Sequence, residues 1–444
     1  MLSWLNKPTS IYPLVYARIL FGALTFFSTA RFMALGWVED HFVASKVQFK
    51  YFGFEWVPLL PAEWMYAIHI VMLLASLGIM LGAFYRIAAP LFFLCFTYVE
   101  LVDITYYLNH YYFVSLFALL LCFVPAHGYC SVDVWRGAVS ARTLVPQRNV
   151  FILRFQVFTV YFFAGIAKIN YDWLIEALPL RIWLPAHDDL PLLGFLMPHS
   201  WTAYVFSWAG MLFDVSIIGW LLWPRSRLLA YLAIVFFHAI TGMMFQIGIF
   251  PLVMIGITPI YFSDAFHQKF VEGIRRILKL GSPVETPSVA SLQEQTTKTP
   301  GMASLLALYV AFQLLSPFRY LLYPGNIFWT EEGYRFSWRV MLMEKAGTAQ
   351  FYVQDRESGR EGMVVNSEFL CSHQEKQMAM QPDLILQYAH FLKQHYEKQG
   401  LKEPKVRAEV YVTLNGRPSR LYFDPQLDLT HLHDGWRHKY WLYE

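Results

Sequence analysis

Apolar residues fill most of the first three hundred positions, in blocks close to the ~20 residues a helix needs to cross the hydrocarbon core of a bilayer. Nine blocks lie near 11–34, 64–84, 87–106, 111–126, 150–168, 203–223, 227–247, 248–262 and 302–322. The seventh and eighth are parted only around Gly248, which predicts a tight hairpin or a partly re-entrant pair. The first block carries Arg18 and has no small-residue cleavage motif after it, so it is expected to remain as the first membrane helix. Beyond about 325 the pattern changes. Residues 350–366 alternate around Ser358-Gly359, and 408–424 alternate around Asn415-Gly416, a strong two-residue turn signal. Between them, 382–398 has helical apolar spacing through Leu384, Leu386, Tyr388 and Phe391. The expected fold is a polytopic α-helical membrane protein of about nine transmembrane helices, with a C-terminal extracytoplasmic β-rich or α+β domain. The expected division is a transmembrane domain over 1–262, a basic cytoplasmic loop and Ser/Thr/Pro/Gln-rich linker over 263–300, a last membrane helix over 301–324, and a soluble domain over 325–444.

Charge adds an orientation. Lys7, Arg86, the group Arg136, Arg142 and Arg148, the pair Arg225 and Arg227, and the cluster Lys269, Arg275, Arg276 and Lys279 fall on alternate loops. Loops rich in Lys and Arg stay in the cytoplasm. The N-terminus is then expected in the cytoplasm and the C-terminal domain outside. The composition, 56% hydrophobic and 15% charged, excludes an ordinary soluble protein. A net charge of +3 is too small to suggest a nucleic-acid partner. Aromatic residues make up 18%, which suits interfacial belts and a cavity for a large flat ligand. The four cysteines have no metal-ligand spacing and form no disulfide framework.

The candidate chemistry is sparse. Lys168 ends an apolar block and is followed by an acidic, aromatic loop. A membrane-boundary lysine is usually an anchor, but an ammonium in apolar surroundings gives up its proton readily and can serve as a base. Glu100 and Asp103 lie in the third block, where an acid needs a partner or a cavity. The plain reading pairs them with Arg18, Arg31 or Arg154. Asn109-His110 lies on the same side as Lys168, where the histidine is either an interfacial residue with no further role or a proton-transfer group. His238 falls near the middle of the seventh block, as a buried histidine bonded to another helix or as part of a site, with Gln246 two turns further on. Arg181 is either part of a surface amphipathic segment or a holder of an anionic group. Tyr334, Ser337 and Trp338 open the soluble domain and read, by themselves, as core packing. No phosphate-binding glycine loop, metal-ligand cluster or nucleophile elbow occurs.

These residues, taken in order, resemble the vitamin K-dependent γ-carboxylase family, whose membrane part is the HTTM domain. The matching strings are Glu63-Trp64-Met65-Tyr66, Gly78 to Gly82 with Tyr85-Arg86-Ile87, Asp103, Thr105, Asn109-His110 and Ser131-Val132-Asp133. Further matches are the segment Tyr161 to Trp173, Phe237-His238, Phe245 to Phe250, Ser337-Trp338 and Phe423-Asp424-Pro425. The resemblance implies an enzyme that oxidises a reduced vitamin K or menaquinol-type naphthoquinone with O2 to the epoxide. That oxidation drives proton removal from a peptide glutamate, and CO2 then adds at the γ-carbon. No metal is implied. Lys168 would be the base, with His110 and Asn109 assisting. His238, Arg181 and Gln246 would hold the quinone, and Ser337, Trp338 and Tyr334 the glutamate of a peptide or protein substrate. The chain departs from the family pattern at Gly333 and at Met343, has no counterpart of the animal cysteine pair, and is shorter than animal forms, which points to a bacterial homologue. A quinol epoxidase without carboxylation, or a non-enzymatic membrane protein that binds quinone or lipid, are the alternative readings.

Overall fold

The computed structural model describes residues 2–245, 247–277 and 300–443. Among the described residues, seven helices are long and apolar enough to cross a membrane. In our numbering, α1 is Tyr12–Ala34, α2 Ala62–Leu81, α3 Tyr85–Val102, α4 Asn109–Phe123, α5 Gln147–Ala167, α6 Ser200–Leu222 and α7 Arg227–Met244. The short α8, Phe250–Ile257, leads through a 3-10 turn to Tyr261, and the amphipathic α9 is Asp264–Ile277. After the linker, which lies outside the described residues, α10 is Pro300–Leu315. The span Ser304–Leu322 completes the set of seven. All nine apolar blocks are therefore helical, and α4 and α8 are the two short ones. At about 1.5 Å per residue, neither reaches the ~30 Å of a hydrocarbon core. They still run between the two ends of the bundle. Phe250, at the start of α8, stacks on His110 at 5.1 Å. The Tyr261 hydroxyl, just after α8, donates to the Arg154 carbonyl near the other end, at 2.5 Å.

The arginine-rich loops gather at one end. Strand β1 (Pro8–Ser10) pairs antiparallel with β2 (Leu144–Pro146). There α9 packs on the start of α1, with Tyr16 meeting His267 at 5.2 Å, and Glu272 accepts from Tyr129 at 2.6 Å. Asp133 accepts from the amides of Phe84 and Tyr85 at 2.9 Å each, which caps the free N–H groups at the head of α3.

The C-terminal unit occupies the opposite end. Its antiparallel sheet has the order β4-β3-β5-β6, with β3 Lys345–Gln354, β4 Glu361–Met363, β5 Lys405–Leu414 and β6 Arg420–Leu421. The two hairpins expected around Ser358-Gly359 and Asn415-Gly416 are present, as is the helix over 382–398, here α12 (Pro382–Lys398), preceded by α11 (Ser372–Met378). Alternation along β5 buries Val406, Ala408, Val410 and Val412 against α12 residues such as Leu384 and Tyr388. Polar contacts dock this unit on the helices and their loops. Gln387 exchanges hydrogen bonds with the Lys50 backbone at 2.7 and 2.9 Å. Gln374 donates to Asp103 at 2.8 Å. The tip of the second hairpin reaches Asp172, where Asn415 donates at 2.6 Å and Arg417 at 2.6 and 2.8 Å.

Candidate active site

Lys168 follows the last turn of α5, and a glycine decides what it meets. A Cβ on Gly165 would lie 2.6 Å from Val215 Cγ2 and 2.7 Å from the Val215 amide nitrogen. Only glycine lets α5 and α6 approach this closely, and the approach puts Asp214 opposite Lys168. The lysine Nζ donates to Asp214 Oδ2 at 2.7 Å and to the Ala164 carbonyl at 3.3 Å. It also lies 5.3 Å from the centre of the Trp173 ring. Trp173 is latched to α6 by its indole N–H, which donates to the Ser207 carbonyl at 2.9 Å. Asp172 points away from Lys168, toward Arg417. The Arg417 hydrogen bond, helped by Asn415, holds its carboxyl below the usual range against the opposing effect of burial.

The Lys168–Asp214 pair borders a cavity of about 440 Å³, within the range of small-molecule sites (roughly 300–1,000 Å³). Its wall is largely aromatic and aliphatic, with Trp183, Phe213, Phe237 and Phe250 among the lining residues. His110 and His238 line it as well. His238 Nε2 is 2.9 Å from the Tyr161 hydroxyl, so this histidine is both bonded to another helix and part of the site. Val205 of α6 and Phe236 of α7 line the cavity while remaining 53% and 64% exposed, so the cavity opens sideways between these two helices.

Other candidates fall elsewhere. Asn109 does not line the cavity. Its amide donates to the Arg339 carbonyl at 2.8 Å, and its carbonyl accepts from Tyr107 at 3.1 Å. Arg181 faces outward beside Glu176, 3.7 Å away, although its neighbours Leu180, Trp183 and Leu184 do line the cavity. Gln246 lies outside the described residues. Trp338 is buried and stacks on Tyr112 at 4.8 Å, and the Ser337 hydroxyl donates to the Tyr334 carbonyl. None of these three touches the cavity, but Val340 and Met341 carry the same segment into its wall. Ser337 and Arg339 instead border a small cavity of about 120 Å³. The Arg339 guanidinium lies 4.3 Å from the Tyr320 ring centre and has no carboxylate partner among the described residues.

The segment is bent hard. Phe336, Trp338 and Met341 have φ of +58°, +59° and +53°. Gly333 has φ +76°, and a Cβ there would lie 2.8 Å from the Tyr320 backbone, which accounts for glycine at this position.

The expected arginine partners of Glu100 and Asp103 are not found. Asp103 accepts from the Thr105 amide and hydroxyl and from Gln374. Arg18 and Arg154 donate instead to backbone carbonyls left open by helix ends and turns, at Ile79, Cys130 and Ile260. The sequence reading missed Asp214. Its signal was available, an acid inside an apolar block, but its partner lies 46 positions away on another helix.

Fold and site together define an integral membrane protein with a lateral apolar cavity, a buried lysine–aspartate pair in its wall, and a mixed α/β unit docked at one end. Residues 6–266 match the HTTM domain, and residues 298–444 match the vitamin K-dependent gamma-carboxylase, lumenal domain. The chain belongs to the vitamin K-dependent gamma-carboxylase family. No solved structure matches it.

Proposed function

We propose that the protein couples oxidation of a reduced naphthoquinone by O2 to CO2 addition at the γ-carbon of a peptide glutamate. The observation that carries this reading is the Lys168–Asp214 pair in the wall of a lipid-side apolar cavity, in a chain of this family. The bound quinol would supply the strong base that no side chain can provide.

The protein's own residues supply the rest. Moving one proton from Lys168 Nζ to Asp214, 2.7 Å away, leaves a neutral amine facing the cavity and a neutral acid behind it. Such a wall suits apolar surroundings better than an open charge. The amine can then take the hydroxyl proton of the quinol. His238, held by Tyr161, offers a polar contact from deeper in the bundle, and His110 offers one at the far wall. The aromatic lining keeps water out. The gap between α6 and α7 admits an isoprenoid tail from the lipid. We assign the segment Tyr334–Ser337–Trp338 to the peptide glutamate, with Arg339 as the cation for a carboxylate. Asn109 acts at one remove, by fixing this segment through the Arg339 carbonyl. Arg181 takes no part. The arginine-rich end faces the cytoplasm and the C-terminal unit the outside.

The test gives purified protein reduced vitamin K, labelled bicarbonate and a glutamate-containing peptide, and follows epoxide and label together. Coupled appearance of both is expected. Epoxide without label would make the protein an epoxidase alone, and quinone binding without either product would make it a binding protein. For orientation, a cysteine placed in 355–360 should react with an impermeant reagent on intact cells; reaction only after permeabilisation would reverse the assignment.

A further inference from the structure

A second cavity, of about 790 Å³, lies on the other side of His110. His110 and Ile247 border both cavities, so the histidine stands in the partition. The linings differ. The second cavity is bordered by Asp40, His41, His69, Glu100, Asp103 and His373 and, among the described residues, by no lysine or arginine. Asp103 is satisfied as described, and His69 Nδ1 is 2.7 Å from the Met65 carbonyl. Glu100 has no hydrogen bond or ion pair among the described residues. Toward the C-terminal unit the cavity ends at Asp40 and His373, both exposed to solvent.

An unpartnered carboxylate in the last turn of a membrane helix is expensive, and such residues mark ion or proton pathways. Among the described residues no group of side chains is arranged to hold a metal ion. With no fixed cation on the lining, the positive partner left for Glu100 is a proton. The proposed reaction also requires that a proton leave. Carboxylation breaks one C–H bond, forms one C–C bond and frees one proton. Oxidation of the quinol by O2 to epoxide and water is neutral in protons. The cavity that holds Lys168 is walled mainly by apolar groups.

We propose that the second cavity is the proton outlet. In this reading, which rests on the proposed activity, Glu100 first passes its resting proton outward past His69 and His41 to His373 and solvent. His110 then gives its N–H proton to the vacated Glu100 carboxylate and takes one from the reaction cavity on its other nitrogen. Burial, with His373 nearby, pushes the His41 imidazole down to about 4, so at neutral pH it is an uncharged relay and not a fixed positive barrier.

The test follows one turnover in weak buffer with a pH indicator, alongside carboxylated product. Wild-type protein should release one proton per product, at the rate of product formation. In Glu100→Gln, proton release should lag behind product, and steady turnover should fall at least about tenfold with the KM for quinol unchanged. Glu100→Asp should regain most of the loss. A thermal unfolding midpoint equal to wild type would show that Glu100→Gln still folds. The second readout needs no turnover. Resting protein should show an infrared carboxyl band that is absent from Glu100→Gln and shifts in D2O. Proton release in step with product in Glu100→Gln, or a Glu100 band that does not exchange, would overturn the outlet. If wild-type protein makes no product, the proposed activity falls, and exchange of the infrared band alone decides whether the cavity is open to protons.

Discussion

Lys168 and Lys345 are both 6% exposed, and both are paired with a carboxylate. They differ in what remains of their hydrogen-bonding capacity. Lys345, on β3, gives its three protons to Glu331 at 2.8 Å, the Trp329 carbonyl at 2.8 Å and the Tyr422 hydroxyl at 3.1 Å. Lys168 meets Asp214 closely and the Ala164 carbonyl at 3.3 Å, and its remaining direction faces an aromatic ring and a cavity. An ammonium has three donors to place. Burial and ion pairing therefore do not single out a reactive lysine. What sets Lys168 apart is a donor left unplaced beside a ligand-sized space.

Substitutions can break this contrast. The largest effect is expected at Lys168. Lys168→Ala should lower epoxide formation and carboxylation together by at least about 10²-fold, because both follow quinol deprotonation. Lys168→Arg should fail as badly, since guanidinium does not give up its proton. Normal quinol turnover in both variants would reduce Lys168 to an anchor and erase the difference from Lys345. Lys345→Ala is expected to act on stability instead. It strands Glu331 in the core, at a cost of about 3–5 kcal/mol, read as lost folded protein on denaturant unfolding. Replacing Lys345 and Glu331 together by Met and Leu should recover most of that loss.

Gly165→Ala sharpens the comparison by moving the helices without touching the ion pair. Overpacking should cost about 1–3 kcal/mol. Activity should fall well below wild type, because Asp214 is pushed away from Lys168. Unchanged turnover would show that the pair does not depend on this close approach. The smallest effect belongs to Asp172→Asn. Arg417 is 46% exposed on its side chain, so solvent screens the pair and about 1 kcal/mol is expected. The Asp172 carboxyl is held low in the folded state. Its contribution is therefore complete at neutral pH and is lost as pH falls through that lowered value. Amide exchange at 415–417 should rise on acidification in wild-type protein and be already raised in Asp172→Asn.

The helices were legible in the sequence because hydropathy reports what lipid demands locally. The two hairpins and α12 were legible for a similar reason, since alternation and Asn-Gly act over a few residues. Contacts between distant segments were not. Asp103 is satisfied by Gln374, 271 positions away, and Asn109 by a carbonyl 230 positions away. Arginines inside apolar blocks suggested acids as partners, but Arg18 serves the open carbonyls of Ile79 and Cys130. The sequence left Arg181 open between a surface segment and an anion holder; it faces outward beside Glu176, since on a short helix adjacent residues face different ways. Lys168 stood out because a lone cation followed by an acidic, aromatic loop makes a poor anchor. Asp214 could be flagged as an acid in an apolar block, but not joined to Lys168 without the geometry of two helices.

The left-handed bends at Phe336, Trp338 and Met341 have a thermodynamic consequence. Each such bulky residue stores about 1–3 kcal/mol. Tyr107 holds the segment by accepting from the Phe336 amide at 2.8 Å, and Asn109 holds it at Arg339. A quinol pressing on Met341 and a peptide pulling at Ser337 would draw on one reservoir of strain. Their affinities are then coupled. Whatever factor the peptide adds to quinol binding, quinol must add to peptide binding by the same amount.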